Sequence, residues 1–437
     1  MQPSKRIARF LGDSIFEGIE SLVPEGKAKN LGTGSTGWDT PQFLKDFLYQ
    51  SIQEHENQYG RSAGQIEFIK AIAKEYSPLF GRQIDPLTEI VVNHGATGGL
   101  TNACMAFLEE GDEVITFEPG FESYFVQPMI FGGKLRTFPL DQPKEGSDQW
   151  TINFENFEKI FNERSRFLII NTPQNPVGKM FNQIEMERFA NIAKNWPRLI
   201  IITDEVYEHM CYNGNKHIYL GAMEGMWDRV ISLFSASKIF SCAGWRVGWT
   251  ITSAKLSEPL IAAQNWNNLN INLPSQIAVA RGLEYIKSTP YLEGKYYYEY
   301  IDGMLEKKKN FLVNVLRNSW IKMRVYEPEG GVFIIADITE SIPIIPKQYF
   351  YNKGDQVKLK EDLKSVEGLS NVDYSPDYAF VRWLADKFNI ISIPGYPFFD
   401  QTHAKCVKEY KGTNLVRFAF CKSDETLEAV AECLLKK

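Results

Sequence analysis

The sequence predicts an α/β protein: a large domain with a mostly parallel sheet sandwiched by helices, followed by a smaller α+β domain at the C-terminal end. Three observations lead there. Between about residue 65 and residue 255, short β-branched runs alternate with amphipathic stretches, as in a sheet whose strands are linked by helices. Those runs are apolar throughout rather than at every second residue, as expected of strands covered on both faces. The chain has 437 residues, beyond the size at which a single core keeps growing, so two domains are expected.

In chain order, the runs at 90–92, 114–117, 167–170, 199–202 and 230–234 are read as strands. Helical spacing lies between several of them, as at 184–193 after Gly178. From 287 to 316 the chain is polar, aromatic and lysine-rich with helical periodicity, which predicts one long helix connecting to the second domain. There the strand candidates are 332–336, 390–393 and 415–420. Between Asp337 and Asp377 a segment rich in Lys, Asp and Glu has weak periodicity and reads as a surface insertion or mobile loop. There is no internal repeat and no low-complexity tract.

Composition narrows the function. A hydrophobic share of 44% with 23% charged residues is ordinary for a globular protein. The formal charge of −6 argues against a nucleic-acid footprint. The six cysteines form no Cys-x-x-Cys pair and the five histidines show no ligand spacing, which argues against a disulfide framework and a zinc site and fits a reducing compartment. No run of eighteen apolar residues is present, so no membrane span is expected. The first ten residues are basic without a secretory apolar core. A cytoplasmic location is the expectation, with a mitochondrial address as the alternative.

Chemistry concentrates in five places. Ser235-Ala236-Ser237-Lys238 is followed eight residues later by Arg246, setting one lysine among small residues beside a cation able to grip a phosphate bidentately. A lysine joins an aldehyde as a Schiff base only in its neutral form, and a fixed nearby cation lowers its proton affinity. After the strand at 90–92, a turn containing glycines opens onto a helix through Ala96 and Thr97. Free backbone N–H groups there suit an anion, although Thr97 acting as a plain cap is the alternative. The strand at 167–170 ends in Asn171-Thr172-Pro173-Gln174-Asn175-Pro176, an irregular backbone that can either aim Asn175 inward or simply turn. Asp204 stands at the tip of the apolar run 199–202, with Tyr207 three residues on. A carboxylate there either finds a cation, such as a protonated ring nitrogen, or caps a helix. Arg417 shares a strand face with Leu415 and Ala419 and either points to solvent or clamps a carboxylate.

Taken in order, these segments resemble the fold-type-I pyridoxal-phosphate enzymes, specifically the class I and II aminotransferases, and most closely the kynurenine aminotransferase and glutamine transaminase K group. The resemblance runs from residues 30–34 (NLGTG) through 57–60 (NQYG), 118–121 (EPGF), 171–179, 203–207 and 235–249 to 416–418 (VRF). It implies the pyridoxal-phosphate transferase fold, with residues 1–45 contributing to the small domain and active site, 46–300 forming the large cofactor-binding domain, and 301–437 forming the small domain with an insertion near 340–375. It also implies that Lys238 binds the cofactor covalently and moves a proton, that Asp204 pairs with the ring nitrogen, and that Tyr207 and Asn175 hydrogen-bond the ring oxygen. Phe121 would stack on the ring. Ala96, Thr97, Ser235 and Arg246 would hold the phosphate, joined by Tyr59 from a neighbouring subunit, which makes the protein a homodimer with shared sites. Arg417 would grip the substrate carboxylate beside Gly34 and Asn175.

In the side-chain pocket, Phe16 aligns with one aromatic position of these relatives, while Leu269 and Asn270 stand where they carry a ring and an imidazole. That change alters stacking and hydrogen bonding to an aromatic substrate. With Tyr124, Phe16 suits an apolar, aromatic or neutral side chain such as those of phenylalanine, kynurenine and glutamine. The expected reaction is a two-stage exchange of an amino group between an amino acid and a 2-oxo acid, with a β-lyase of the cysteine-conjugate type as the alternative on the same scaffold. A regulator carrying a DNA-binding module is disfavoured, because residues 1–45 are too short and too weakly helical for one.

Overall fold

The computed structural model describes residues 2–8, 10–11, 15–24, 26–54, 56–350, 374–401, 409 and 411–436. Its strands, in chain order, are β1 (Lys29–Asn30), β2 (Ile90–His94), β3 (Glu113–Glu118), β4 (Lys134–Pro139), β5 (Ser165–Asn171), β6 (Ile200–Asp204), β7 (Val230–Ser235), β8 (Val247–Ile251), β9 (Arg324–Tyr326), β10 (Phe333–Asp337), β11 (Ile390–Ile391), β12 (Ile393–Pro394) and β13 (Leu415–Ala419).

Seven of them make one sheet in the order β2-β8-β7-β6-β5-β3-β4. Neighbours from β7 to β4 are parallel, whereas β8 runs antiparallel to both β2 and β7. The apolar runs explain the burial: Phe167 and Ile169 face one core together with Leu100 and Leu260, while Leu168 and Ile170 face another with Met186 and Phe189. Period-two alternation thus divides each strand between two helical layers. The helix read at 184–193 spans Gln183–Asn195 and opens with a reciprocal cap between Asn182 and Glu185.

Two strands of the seven-stranded sheet were not expected from the sequence. β4 lies at the sheet edge and is nowhere fully buried, so it lacks the continuous apolar run that marks the others. β8 is buried throughout, but its residues, read as part of the segment around Arg246, reverse the chain direction instead of following a helix.

The C-terminal sheet has the order β12-β13-β10-β9 and is antiparallel throughout. β1 pairs in parallel with β11, fastening the beginning of the chain to this region. One continuous apolar core reaches from Phe68 and Trp249 to Leu312, Val332 and Phe418, so the two sheets are packed as one body.

The single long helix expected over 287–316 is two helices, Leu273–Ser288 and Tyr297–Arg317. Pro290 follows the first, and Glu293 and Gly294 both take positive φ, 56° and 72°; together they end one helix and turn the chain before the next begins. The segment read as a surface insertion is only partly so. Its beginning folds into two short 3-10 helices, Thr339–Ile344 and Lys347–Phe350, with Ile338, Ser341, Ile345 and Tyr349 buried. Residues 351–373 lie outside the described residues, and from Pro376 the chain is a helix ending at Phe388.

Candidate active site

The parallel strands β5, β6 and β7 end side by side, and their carboxyl ends form the floor of a cleft of about 240 Å³. Asp204 is the last residue of β6 and Ser235 of β7, and Asn171 ends β5. All three line the cleft. So do Gly34, Ala96, Thr97, Phe121, Tyr124, Asn175, Tyr207, Lys238, Arg246 and Arg417.

At one end, β2 runs directly into the helix Gly95–Phe107, whose first turn contains Ala96 and Thr97. Gly95 has φ 68°, and a Cβ there would lie 2.4 Å from an Arg246 guanidinium nitrogen. Only glycine permits that approach. Arg246 itself takes a left-handed backbone, φ 55°, after the 3-10 turn Ala243–Trp245, and its guanidinium is steadied by the carbonyls of Ala243 (3.1 Å) and His94 (3.4 Å). Ser235 caps the short helix Ala236–Ile239, accepting from the Ser237 N–H and donating to the Ser237 hydroxyl at 2.8 Å. A helix N-terminus, hydroxyls and a guanidinium thus converge on one small space, a donor set suited to a phosphate dianion.

In the middle, Asp204 is buried and Lys238 half-buried. Lys238 Nζ donates to the Gly34 carbonyl at 2.8 Å. Burial holds its proton affinity below that of an ordinary lysine, and the charges of Arg417 and Arg246 act in the same direction while Cys421 opposes them. The Asp204 carboxyl is pushed up to about 6 by burial, against the hydrogen bond from Tyr124. A buried carboxylate with no basic side chain hydrogen-bonded to it among the described residues is the counterpart that a protonated heterocyclic nitrogen requires. Burial also raises the Tyr207 phenol, keeping it a donor at neutral pH.

At the other end, Arg417 projects from the middle of β13 and is 2% exposed. It donates to Asn175 Oδ1 at 2.8 Å and to the Gly32 carbonyl at 2.6 Å. Its guanidinium lies over Phe333, 3.9 Å from the ring centroid, and 4.8 Å from that of Phe398. Burial lowers it to about 10, so it remains a cation.

The phosphate-type donors, a buried anion opposite, a lysine of depressed basicity between them and a cation for a second anionic group match the parts of pyridoxal phosphate and of an amino acid. The profile of the family "Aminotransferase class I and II" matches residues 29–434. The chain belongs to that family. The class I and II aminotransferases are pyridoxal-phosphate dependent, and this member is an enzyme of the same kind. It is 33% identical over 448 residues to kynurenine–oxoglutarate transaminase of Dictyostelium discoideum, covering 100% of this chain and 96% of that protein. It is also 31% identical to kynurenine–oxoglutarate transaminase 3 of Homo sapiens, covering 99% and 91%. Among solved structures, YbdL from Escherichia coli, which has a methionine aminotransferase function, superimposes with a TM-score of 0.82 at 26% identity, covering 100% of this chain and 99% of that one. N-succinyldiaminopimelate aminotransferase from Mycobacterium tuberculosis gives 0.80 at 27% identity, covering 99% and 98%.

For this aminotransferase, the cleft gathers most of the residues singled out in the sequence but not all. Tyr59 is 84% exposed and Leu269 52%; neither they nor Asn270 line the cleft. Asn270 instead donates to the carbonyl of Ile271 at 3.2 Å. Phe16 sits on the helix Ile15–Glu20, but its side chain lies outside the described residues. Tyr124, expected beside the substrate side chain, turns its hydroxyl to Asp204 Oδ2 at 2.6 Å. Arg417 does not point to solvent, because β13 is an inner strand covered on both faces.

Three participants went unassigned in the sequence. Asn171 donates to the Asp204 carbonyl at 2.9 Å and accepts from the Asn175 N–H at 2.7 Å, bracing the irregular loop against β6. Phe333 forms the floor beneath Arg417, and Gly32 offers it a carbonyl. Asn171 carried a local signal, a polar residue ending an apolar strand. Phe333 carried none, since only tertiary packing brings β10 beneath the guanidinium.

Proposed function

We propose that this aminotransferase moves the amino group of a large neutral or aromatic L-amino acid, of the kynurenine, phenylalanine or glutamine type, to 2-oxoglutarate, and that it works as a homodimer. The observation that carries the reading is Arg417: a buried, stacked guanidinium held in plane by Asn175 and Gly32, able to take a carboxylate bidentately at a fixed distance from Lys238. The cations lining the described cleft are Lys238, Arg246 and Arg417. With the first two committed to the cofactor, one remains, which suits the α-carboxylate that amino donor and oxo-acid acceptor share. The names of the similar proteins of Dictyostelium discoideum and Homo sapiens support kynurenine as a donor and oxoglutarate as acceptor.

In this reading the helix N-terminus at Ala96 and Thr97, with Ser235 and Arg246, holds the phosphate. Phe121 covers the ring, Asp204 meets its nitrogen, and Tyr207 and Asn175 meet its phenolic oxygen. The bound cofactor supplies the electron sink that lets an amino acid lose its α-proton. Lys238 acts as the base that takes that proton and returns it, and its depressed basicity leaves a larger share of neutral amine at working pH. Arg417 orients the substrate so that the Cα–H faces Lys238. Tyr59 completes the phosphate site of a second copy of the chain, which agrees with its exposure here.

The test is a panel of amino donors offered to the enzyme with pyridoxal phosphate and 2-oxoglutarate, reading glutamate formed and oxo acid released. Turnover with phenylalanine, kynurenine or glutamine well above that with aspartate supports the proposal. Aspartate as the best donor, or ammonia released with no acceptor present, overturns it.

A further inference from the structure

The contact between Tyr124 and Asp204 has a consequence for the reaction. Tyr124 belongs to the helix Glu122–Ile130, whose first residue follows Phe121. Its ring stands edge-on to Phe121, centroids 5.7 Å apart at 81°, and its hydroxyl donates to Asp204 Oδ2 at 2.6 Å. Both side chains are buried, 4% and 8% exposed. The other oxygen, Oδ1, receives only the long contact from the Val206 N–H, 3.4 Å, among the described residues. One oxygen of the carboxylate is therefore taken by the protein, and the other is left for whatever enters the cleft.

We propose that Tyr124 is a positioning residue for the cofactor: it fixes the Asp204 carboxylate in one orientation and keeps it charged, so that Oδ1 meets the ring nitrogen as an anion. The proposal rests on the reading of Asp204 as the partner of that nitrogen. The physical need is plain. A carboxylate buried this deeply tends to take up a proton, and a hydrogen bond donated to its charged form opposes that tendency. Without such a donor the ring nitrogen would face a neutral acid and lose the charge that makes the ring electron-withdrawing. The other groups around Asp204 divide by sign. Glu205 on the same segment favours the protonated form. Lys238, Arg246 and Arg417 line the cleft as cations, with Tyr207 beside them. Asn171 from β5 bonds only the Asp204 main-chain carbonyl. Tyr124 is thus the one side chain, among the described residues, that donates to the carboxylate itself. Its hydroxyl is also committed inward, away from the substrate side chain that the sequence assigned to it.

The test uses two probes: pyridoxal phosphate, and its deaza analogue in which a carbon replaces the ring nitrogen. Binding of each to the apoenzyme is titrated by fluorescence from pH 5 to 8. The ratio of the two affinities cancels the titration of Lys238 and of the phosphate, which both probes share. Wild type is expected to prefer pyridoxal phosphate, with the preference fading below about pH 6 as Asp204 protonates. Tyr124→Phe is expected to bind pyridoxal phosphate about tenfold more weakly, to bind the analogue as wild type does, and to lose its preference about one pH unit higher. In an Asp204→Asn background the same change should have no further effect on either probe. Equal weakening for both probes makes Tyr124 a packing residue and overturns the proposal. So does unchanged cofactor binding with a raised KM for amino donors, which makes it a substrate contact. If wild type shows no preference between the probes, the reading of Asp204 itself fails and the proposal with it.

Discussion

The two ends of the cleft are built in different ways. The end with Ser235 and Arg246, and the middle with Asp204 and Lys238, come from consecutive strand ends and the turns that follow them in one sheet. The end around Arg417 is assembled from parts far apart in sequence: β13, the loop after β5, residues 32–34, and Phe333 of β10. The first depends on local backbone geometry, the second on how the C-terminal sheet seats against the large one. Substitutions at the two ends should therefore fail in distinguishable ways.

The largest effect is expected at Lys238, where the two ends meet. On the proposed reading, Lys238→Ala removes the amine that attaches the cofactor and moves the substrate proton, so turnover should vanish. Borohydride treatment followed by mass spectrometry should label wild type with the reduced cofactor and leave the variant unlabelled. Labelling of the variant at another lysine would move the site elsewhere. Next comes Arg417→Ala, which leaves Asn175 and Gly32 without their partner and the substrate carboxylate without a cation. It should lower kcat/KM by about 30- to 5000-fold, the range for losing a buried charged partner, with cofactor affinity changed little. Equal losses of both would erase the distinction between the two ends.

Gly34→Ala tests the seating of the parts more gently. A Cβ there would lie 2.8 Å from the Phe333 ring and 3.2 Å from Lys238 Nζ. Phe333 must move, and Arg417 rests on it. Overpacking of this size should raise the KM for the amino donor by about tenfold while phosphate retention stays normal.

Asp204 gives a smaller effect on the empty protein. Its carboxyl is raised from 3.8 to about 6 by burial, so the folded apoenzyme binds this proton more tightly than the unfolded chain. Its contribution to stability is thus full below about pH 4 and lost as pH rises through about 6. Asp302 and Asp377 are also raised, to about 7 and about 6, so the comparison must be between variants. Asp204→Asn should flatten part of the fall in apoenzyme Tm between those pH values, a change of a few degrees. Parallel Tm–pH curves for the two proteins would show that Asp204 is not protonated in that range.

The same contrast explains what the sequence made legible. Lys238, Asp204 and Asn175 could be singled out because each stands just beyond an apolar strand, where a charged or polar group needs a reason to exist. Arg417 could be named by type and strand, but its burial depends on β13 being flanked by β12 and β10, and no local pattern reports that. Tyr124 was visible as an aromatic near Phe121. Its direction was not, because a helix starting at Glu122 sets which side of the turn faces Asp204. The broken helix near Pro290 is a different case: the proline that ends the first helix was present in the sequence, three residues into the stretch taken as one helix.

Tyr59 lies apart from both ends, and it sets the smallest expected effect. In the single chain it is 84% exposed and does not line the described cleft, and in the proposed dimer it reaches the phosphate of the second copy. One hydrogen bond to a phosphate already held by Arg246 and a helix N-terminus should change cofactor affinity by only about three- to tenfold. Tyr59→Phe should therefore loosen pyridoxal phosphate by that amount at concentrations where the enzyme is dimeric. The difference from wild type should shrink as dilution separates the subunits, with sedimentation velocity run on the same samples. A loss of affinity that persists in the monomer would mean that Tyr59 acts within its own chain. No loss in a demonstrated dimer would mean that the cofactor end is complete in one subunit, with the second copy serving only the substrate end or neither.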